Sequence, residues 1–477
     1  MMRQTYPLVA VLLLTGCVVG PNYKKPVAPP SEGGRFVEGH VSPAVAETQT
    51  ETEWWRLFDQ PALDRLVAEA LAHNTDIRVA AANLQKARAI LSEARTARLP
   101  TTEVDASFTR QRTRIGGSGS TGAPSTFNYY SLGFDASYEV DLFGGVTRSI
   151  QAARRDAASA AAALDAARVS VAAETARSYA KACSFADQAQ VARETTRFQD
   201  QTVELTKKLF DLGRTSRLEY AQAVALAEAT RSTIPGLEAE RRAALYALAV
   251  LTGHPPAEVD AMAADCVTTP RVKVAIPVGD GAALLRRRPD VPQAERTLAA
   301  DTARIGVATA DMFPKITLLG SAGLGAVKSG DLGKSSSFTF SFGPLISWSF
   351  PNLFAARARL RQARAQGDAS LAAFDGTVLN ALKEVEQALA RYAGQLDRNA
   401  SLVRAEAASA DAANLSRTRF NAGSDSFLQL LVTERARALA RAELASSNAD
   451  VADAQVSLFK ALGGGWENAP PVATATR

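Results

Sequence analysis

Few side chains in this sequence could carry out catalysis. The 477 residues include three histidines, His40, His73 and His254, which stand in separate contexts. No Ser/His/Asp set, zinc-ligand spacing or Walker loop accompanies them. The sequence therefore predicts neither an enzyme nor a protein that holds a cofactor or a metal ion.

Two further clusters could in principle bind a phosphate. Gly320, Gly323 and Gly325 lie in an alternating apolar stretch, which predicts a strand hairpin rather than the strand-to-helix loop of a phosphate site. We interpret these glycines as part of a turn. The run Arg286–Arg288 precedes Pro289 at a predicted helix start, and we interpret it as a solvated or structural element.

The overall charge is only mildly basic. Lys and Arg number 54 against 49 Asp and Glu, for a formal net charge of +5. The arginines alternate with Ala, Asp and Glu, whereas nucleic-acid-binding proteins gather basic residues in runs or on one face. The sequence therefore gives no support for a nucleic-acid partner.

The N-terminus has the features of a cleaved secretory signal. Arg3 supplies a positive charge, residues 6–14 form a short apolar stretch, and Leu14-Thr15-Gly16-Cys17 follows. This order resembles a bacterial lipoprotein box, whose Cys takes up diacylglycerol and becomes the acylated first residue. A simple signal peptide with a chance Cys is the alternative. The resemblance implies lipidation at Cys17, and Val18 in place of Asp favours sorting to the outer membrane.

Two other cysteines occur in the chain. Cys183 lies within a helical pattern, and Cys266 lies in a predicted loop before Pro270. A disulfide between them is an open alternative, but their spacing gives it no support. We expect two free thiols rather than a disulfide framework.

The chain repeats itself with an offset of 210 residues. Phe420 and Gly423 fall on Phe210 and Gly213 when 210 is subtracted from the second pair of numbers. Such self-similarity indicates a structural duplication. We predict a signal peptide over 1–16, an acylated extended segment over 17–60, repeats over 61–265 and 266–465, and a tail over 466–477.

The sequence patterns of the two halves predict the same order of secondary-structure elements. Each has a helix, two strands around a polar loop, a very long helix, a turn at Gly and a return helix. The predicted segments are 62–98, 102–113, 128–142, 147–211 and 216–252, then 289–312, 315–324, 337–350, 355–420 and 425–462. The loop of the first strand pair contains Gly116–Ser120. At 1.5 Å per residue the long helices would each extend on the order of 100 Å, and their Ala-rich seams predict coiled coils.

The predicted strands are apolar on one side only. In residues 337–350, Phe338, Phe340, Phe342 and Trp348 share one side, opposite small hydroxyl residues. Phe134 and Tyr138 occupy the same side of the earlier strand at 128–142. No stretch after residue 20 predicts a transmembrane helix. Strands of about ten residues with this alternation are typical of a transmembrane β-barrel, whose apolar side contacts lipid. A soluble sheet packed on helices is the alternative.

Four strands are too few to close a barrel, because single-chain barrels begin at about eight. Open edges in lipid would leave backbone groups unpaired, so several chains must share one barrel. Three chains would supply twelve strands and twelve long helical elements, although the count also permits two or four chains.

Several motifs together resemble a known family, the outer-membrane factors of tripartite efflux pumps in their TolC- and NodT-type lipoprotein branch. They are C-V-V-G-P-N-Y-K-K-P, W-W-R-L-F-D, R-R-P-D-V, I-G-V-A-T-A-D-M-F-P-K-I-T-L, P-N-L-F and L-F-K-A-L-G-G-G-W. The resemblance implies an α+β membrane protein: a homotrimer with a twelve-stranded transmembrane β-barrel continued by a twelve-helix α-barrel. It implies a passive duct for small molecules such as drugs, fed by a periplasmic adaptor and an inner-membrane transporter of the RND type. It implies an outer-membrane location with lipid contact and an extension into the periplasm.

The two Gly turns resemble the periplasmic tips of that family. The resemblance implies that Phe210, Gly213, Phe420 and Gly423 belong to turns that close the tunnel and contact the adaptor, although the glycines also serve as helix caps. It further implies acidic residues a few positions past each Gly. Glu219 fits in the first turn, whereas the second has Gln429 at the matching position, with Glu434 further on. The constriction candidates are therefore Glu219, Gln429 and Glu434.

Other functions remain as alternatives. A channel for type I protein secretion or for metal efflux would have a related tunnel. The chain contains only four Met and three His, which gives little support for a soft-metal path. A structural envelope lipoprotein without a pore is the remaining alternative, but a spacer has no need of strands with one polar side.

Overall fold

The computed structural model describes residues 18–26, 34–40, 44–48, 51–113 and 124–472. The predicted signal peptide, the lipidation residue Cys17 and the Gly116–Ser120 loop lie outside the described residues. None of the helices in the described part of the chain is long and apolar enough to cross a membrane.

The chain divides into two compact units. The first contains Met1–Pro26, Leu84–Ala160 and Ala294–Phe374, and the second contains Val27–Asn83, Ala161–Gln293 and Asp375–Arg477. The first unit holds a four-stranded sheet with the adjoining helix ends, and the second holds most of the helical length. The predicted boundaries at residues 60, 265 and 465 stay a prediction.

Helices make up most of the structure. They are α1 (Pro61–His73), α2 (Thr75–Thr96), α3 (Gly145–Asp211), α4 (Arg217–Arg231), α5 (Ile234–Leu251), α6 (Ala261–Ala264), α7 (Gly281–Arg287), α8 (Asp290–Ala310), α9 (Phe354–Asn421) and α10 (Phe427–Leu462). Short 3-10 helices cover Glu38–His40, Trp54–Phe58, Ser329–Asp331 and Ser335–Ser337. The two longest, α3 and α9, contain 67 and 68 residues and confirm the predicted long helices.

The strands form two sheets. They are β1 (Val45–Ala46), β2 (Thr101–Thr113), β3 (Ser125–Val140), β4 (Ile276–Pro277), β5 (Lys315–Ala326) and β6 (Phe338–Ser347). Strands β1 and β4 form a short parallel pair, and the larger sheet has the antiparallel order β2-β3-β5-β6. The order helix, two strands, long helix and return segment occurs in both halves of the chain, as predicted.

Two predicted helices are interrupted. The first, predicted over 62–98, breaks at Asn74, whose side-chain oxygen accepts the amide of Asp76 at 2.8 Å and so begins α2. The return helix predicted over 216–252 breaks between α4 and α5, just before Pro235, which lies in the first turn of α5 where its missing amide proton is tolerated. Both single-helix predictions were wrong for this local reason.

Aromatic packing and two arginines hold the end of α10 in the second unit. The indole of Trp54 stacks on Phe459 with ring centroids 4.8 Å apart. Arg287 donates to the carbonyl of Leu462 at 2.8 Å, and Arg288 donates to that of Ala461 at 3.1 Å. These bonds satisfy carbonyls that a helix end leaves unpaired. Arg287 and Arg288 are thus structural, as predicted; they lie at the end of α7 and directly before α8, which begins at Asp290.

The prediction of two free thiols was wrong. Cys183 on α3 and Cys266, just after α6, form a disulfide whose Cα atoms are 5.0 Å apart. The Cys183 side chain is fully buried. The bond joins residues 83 positions apart, a separation that carries no local sequence signal.

Candidate functional site

The four-stranded sheet separates apolar from polar side chains. Across one row of the register, Val104, Phe134, Ala322 and Phe340 lie opposite one another on the four strands. Because directly opposite residues share a face, the apolar sides of all four strands coincide. Further apolar rows on this face are Ala106-Leu132-Leu324-Phe338, Tyr138-Leu318-Pro344 and Val140-Ile316-Ile346.

None of the described residues covers this apolar face. Phe338, Phe340 and Phe342 are 55%, 76% and 79% exposed. Phe134 is about half exposed, and Tyr138 is partly buried. Soluble proteins rarely expose so many neighbouring aromatic side chains to water. The exposure therefore indicates that a membrane or another molecule covers this face.

Trp348 lies one residue beyond the end of β6, and its indole nitrogen donates to the carbonyl of Met312 at 3.2 Å. The ring stacks on Phe350 with centroids 4.6 Å apart. Strand β6 therefore ends at Ser347, three residues before the predicted end at residue 350. The reason is that its partner β5 begins at Lys315, which pairs with Ser347.

The opposite face of the sheet is lined by hydroxyl and carboxylate side chains. Ser107 and Ser131 share a hydrogen bond of 2.7 Å across β2 and β3, and Ser321 and Ser341 share one of 2.8 Å across β5 and β6. Asp135 lies directly opposite Ser321 in the register, between Glu103 on β2 and Ser321 on β5. This face suits contact with water, and the sheet as a whole is therefore two-sided in the sense that a channel wall requires.

Glycines allow close packing inside the sheet. The prediction that Gly320, Gly323 and Gly325 form a turn was wrong, since all three lie within β5. A Cβ added at Gly325 would lie 2.4 Å from the hydroxyl of Tyr129 on β3, so the ring fills the space that a side chain would occupy. Two sheet edges, β2 and β6, have no partner strand in the described residues.

The long helix α3 ends in a turn built on Gly213. This residue has φ +67°, a left-handed conformation that favours glycine. The amide of Arg214 donates to the carbonyl of Leu209 at 2.8 Å, which closes the helix in a Schellman arrangement. Phe210 stacks parallel to Tyr220 on the next helix with centroids 6.1 Å apart.

The end of α9 repeats this backbone at Gly423. Its φ is +76°, and the amide of Ser424 donates to the carbonyl of Arg419 at 2.8 Å. Phe420 contacts Phe427 edge to face with centroids 6.0 Å apart. The structure thus places the four predicted tip residues in two matching turns, both within the second unit.

Glu219 completes a capping box at the start of α4. The Ser216 hydroxyl accepts the amide of Glu219 at 3.2 Å, and the Glu219 carboxylate accepts the amide of Ser216 at 3.0 Å. The hydroxyl of Thr215 also donates to this carboxylate. The hydrogen bond from Thr215, followed by that from the Ser216 amide, lowers the pKa of Glu219, so the carboxylate is ionised at neutral pH.

The second turn has different side chains at the matching positions. Gln429 takes the place of Glu219, and the backbone amide of Gln429 donates to the Ser426 hydroxyl at 3.3 Å. Glu434 is 5% exposed and accepts from Nε of Arg417 at 3.1 Å. The Arg417 guanidinium lies 5.7 Å from the ring centre of Phe198. Of the three constriction candidates, Glu434 is therefore enclosed within the chain, whereas Glu219 and Gln429 lie beside the turns.

The described chain begins as a strap held by Arg148. This side chain is 4% exposed and donates to the carbonyl of Val19 at 3.2 Å and to the side chain of Asn22 at 2.8 Å. Gly20 fits against Gly306, where an added Cβ would lie 2.6 Å from its Cα. Sequence reasoning missed Arg148, and the only signal for the strap was the G-P-N-Y motif that follows Cys17.

Comparison with known proteins identifies the family. The chain matches the family described as outer membrane efflux protein over residues 66–254 and 282–464. It is 30% identical to nodulation protein T of Rhizobium leguminosarum bv. trifolii, covering 99% of both chains. It is 31% identical to the probable efflux pump outer membrane protein TtgC of Pseudomonas putida, covering 96% of this chain and 94% of the relative.

A solved structure supports the same assignment. The outer-membrane channel OprN superposes with a TM-score of 0.88 at 35% identity, over 94% of this chain and all of that chain. The two-sided sheet, the paired Gly turns and these matches agree with one another. The chain therefore belongs to the outer membrane efflux protein family and is an outer-membrane efflux channel.

Proposed function

We propose that three copies of this chain form the duct of a tripartite efflux pump, with a twelve-stranded barrel in the outer membrane and twelve helical elements continuing it into the periplasm. The observation that carries the proposal is the sheet: within the described residues it has one uncovered aromatic face, one hydroxyl-lined face and two edges without a partner strand. Lipid covers the first face, water fills the second, and β6 of one copy pairs with β2 of the next.

Twelve is the smallest number of strands that four strands per chain can supply while leaving an open lumen. Two chains would give an eight-stranded barrel, and side chains nearly fill the interior of a barrel of that size. Twelve strands leave room for a lumen. We further propose that the two halves arose by duplication, because the same order of elements and the same Gly turn occur in both. The duplicated halves place two strands and two helical elements each into the wall.

The Gly turns form the periplasmic tips and contact the adaptor. Phe210 and Phe420 lie beside Gly213 and Gly423, so each tip presents an aromatic ring next to a tight reversal. Glu219 is the acidic constriction residue that we propose. Its lowered pKa keeps it charged, whereas Gln429 is neutral and the charge of Glu434 is balanced by Arg417.

Acylation at Cys17 anchors the chain to the outer membrane. The strap begins at the residue after Cys17, and Val19 donates its amide to the carbonyl of Phe143 at 3.2 Å, just beyond the end of β3. The anchor is therefore tied to the point where the sheet passes into α3. Insertion itself does not depend on it, because twelve strands bury far more apolar surface than three acyl chains.

The cargo is small molecules, delivered by an inner-membrane transporter of the RND type through the adaptor. Export of proteins by a type I system is the second candidate, since it needs the same two-sided wall. The wall performs no chemistry in either case: specificity resides in the transporter, and the chain provides a closed, water-filled path.

Dye accumulation in cells tests this proposal. A deletion strain is complemented with wild type, with an empty vector or with a chain that lacks residues 209–216. We expect a hydrophobic fluorescent dye to accumulate in the deletion and tip-deleted strains and to fall to the parental level with wild type. Immunoblots must show equal amounts of both chains in the outer membrane. Equal dye in all strains would refute small-molecule efflux, and bilayer conductance of purified protein would then distinguish a protein-export channel from a spacer without a pore.

A further inference from the structure

Four arginines stand at the start of α9, and the channel function above does not use them. Arg357, Arg359, Arg361 and Arg364 lie in the first three turns of the helix and are all exposed. The first acidic residue of the helix is Asp368. Among the residues that the structure describes, no carboxylate or other side chain pairs with any of the four guanidinium groups.

Three of these arginines share one side of the helix. At about 100° per residue, Arg357, Arg361 and Arg364 fall within an arc of roughly 60° and extend along roughly 10 Å of the axis. Phe354 lies on the same side and is 75% exposed. We call Arg357, Arg361 and Arg364 the arginine face.

The local electrostatics of the arginine face are unfavourable without an anion. A helix begins with a partial positive charge, and cations in its first turn are destabilising. In the first half of the chain, the Asp141 carboxylate accepts the amides of Val146 and Thr147 at the start of α3, at 2.9 and 2.7 Å. The residue at the matching position before α9 is Pro351, and no side chain in the described residues takes the same role. An anion bound there would satisfy both the helix start and the guanidinium groups.

The position of the face suggests where that anion comes from. Thr101, Val140, Lys315 and Ser347 mark the same end of the sheet, where every strand joins a helix. Between β6 and the arginine face, exposed aromatic rings follow one another at Trp348, Phe350 and Phe354. A band of aromatic residues followed by basic residues is the order found where a membrane protein passes from hydrocarbon to headgroups.

A second copy of the chain is a poorer partner than a lipid. In the proposed barrel, β2 of the next copy lies beside β6, and the segment from the end of α2 to β2 carries Arg95 and Arg98 against Glu93. This end has a net positive charge, so it adds to the charge of the arginine face rather than balancing it. The demand for an external anion is therefore greatest at the junction between copies.

We propose that the arginine face binds the phosphate headgroups of anionic phospholipids in the membrane leaflet on the helix side of the barrel. Guanidinium groups bind phosphate oxygens through paired, charge-assisted hydrogen bonds, and the adjacent rings pack against the upper acyl chains. The inference rests on the proposed function, because it requires the sheet to lie in a bilayer. It adds a lipid class to that function and a contact at the junction between copies.

Fluorescence quenching at Trp348 tests the proposal on the full-length protein in vesicles. Brominated phosphatidylglycerol in phosphatidylcholine, and the reverse mixture, report the relative binding of the two lipids beside this indole, after subtraction of the signal of a Trp348→Phe variant. The test variant is R357Q/R361Q/R364Q. The matched control is R242Q/R391Q/R435Q, which removes the same charge from exposed helical positions in the second unit.

We expect wild type and the control to prefer phosphatidylglycerol by roughly fivefold or more, since each basic residue at an anionic surface contributes about this factor. The test variant should show a ratio near one, and added salt should lower the wild-type ratio. Inorganic phosphate should act no more strongly than chloride at equal ionic strength. A stronger effect of phosphate would indicate a site for the free anion and overturn the lipid assignment.

Three other results would also overturn it: equal binding of both lipids by wild type, a preference that survives in the test variant, or a preference lost equally in the control. If the test variant dissociated into monomers while wild type showed no lipid preference, the arginines would be contacts between copies. Absence of quenching by brominated phosphatidylcholine as well would refute bilayer insertion, and the proposed function with it.

Discussion

Placing a charge on the aromatic face of the sheet should prevent insertion, whereas the same charge one residue away should not. Phe342 lies near the middle of the ten-residue strand β6 and is 79% exposed in the single chain. Ser341 precedes it on the opposite, hydroxyl-lined face. Phe342→Arg and Ser341→Arg therefore add the same charge at the same depth but on different faces of the wall.

The expected difference is large. An arginine facing lipid at the bilayer midplane costs roughly 2–4 kcal/mol, and the lost burial of a phenylalanine adds roughly 2 kcal/mol. The sum is on the order of 5 kcal/mol per chain, and each proposed trimer contains three such positions. Ser341→Arg loses the hydrogen bond to the Ser321 hydroxyl, whose net contribution is about 1 kcal/mol, and its guanidinium remains in water.

Outer-membrane fractions and heat-modified gel mobility measure the outcome. We expect Phe342→Arg to be absent from the outer-membrane fraction and to form no trimer band. Ser341→Arg should insert at the wild-type level and show reduced cation conductance in planar bilayers, because its charge lines the lumen. Equal insertion of both variants, or failure of Ser341→Arg alone, would refute the assignment of the two faces.

Three further predictions concern the helical part of the chain. Gly423→Ala should lower the free energy of unfolding by about 1 kcal/mol because of the left-handed backbone, whereas Gly376→Ala, inside α9 with open space around it, should raise it by about 0.5–1 kcal/mol; thermal unfolding checks both, and equal changes would contradict the backbone argument. Cys266→Ser should lower the free energy of unfolding by about 3 kcal/mol, because the disulfide is lost. A reductant should lower the midpoint of guanidinium unfolding in wild type but not in this variant; an effect of the reductant on the variant would contradict the prediction. The pKa of Glu219 is lowered, so its capping contribution is present above its ordinary value of 4.5 and lost as the pH falls through the lower folded value; hydrogen exchange at the start of α4, corrected for the intrinsic rate, should accelerate on acidification in wild type but not in Glu219→Gln.

Alternation of side chains was sufficient to predict the sheet. Residues such as Phe338, Phe340 and Phe342 alternate with small polar residues, and a period of two has no counterpart in a helix. The predicted strand over 337–350 ran too long, because alternation continues through Trp348 and Phe350 after the partner strand has ended. Pairing, rather than the pattern of one strand, determines where a strand stops.

The interruptions of the helices depended on single side chains. Asn74 and Pro235 are both recognised helix-start residues, yet each lies inside a continuous apolar period that favours one long helix. The capping bonds of Asn74 outweigh that period locally. By contrast, some contacts join residues that are distant in sequence, and no local pattern encodes them. Examples are the Cys183–Cys266 disulfide and the hydrogen bonds from Arg148 to the N-terminal strap.

The two tips show which features of the site the sequence could and could not encode. Gly213 and Gly423 fix the same reversal, and Ser216 and Ser426 start the next helix in the same way, so the backbone follows from residue type and spacing alone. The electrostatics do not repeat: Glu219 is an ionised cap at the first tip, while at the second Arg419 pairs with Asp425 at 2.8 Å and Arg417 with the buried Glu434. Because a buried carboxylate needs its partner, separating α9 from α10 at the second tip would leave Glu434 unpaired, whereas the ion pair that joins α3 to α4 at the first tip, Asp200 with Arg231 at 2.7 Å, is exposed and its charges stay solvated on separation. Any outward movement of the tips should therefore begin at the Gly213 turn, with the Gly423 turn as the more strongly tied of the two.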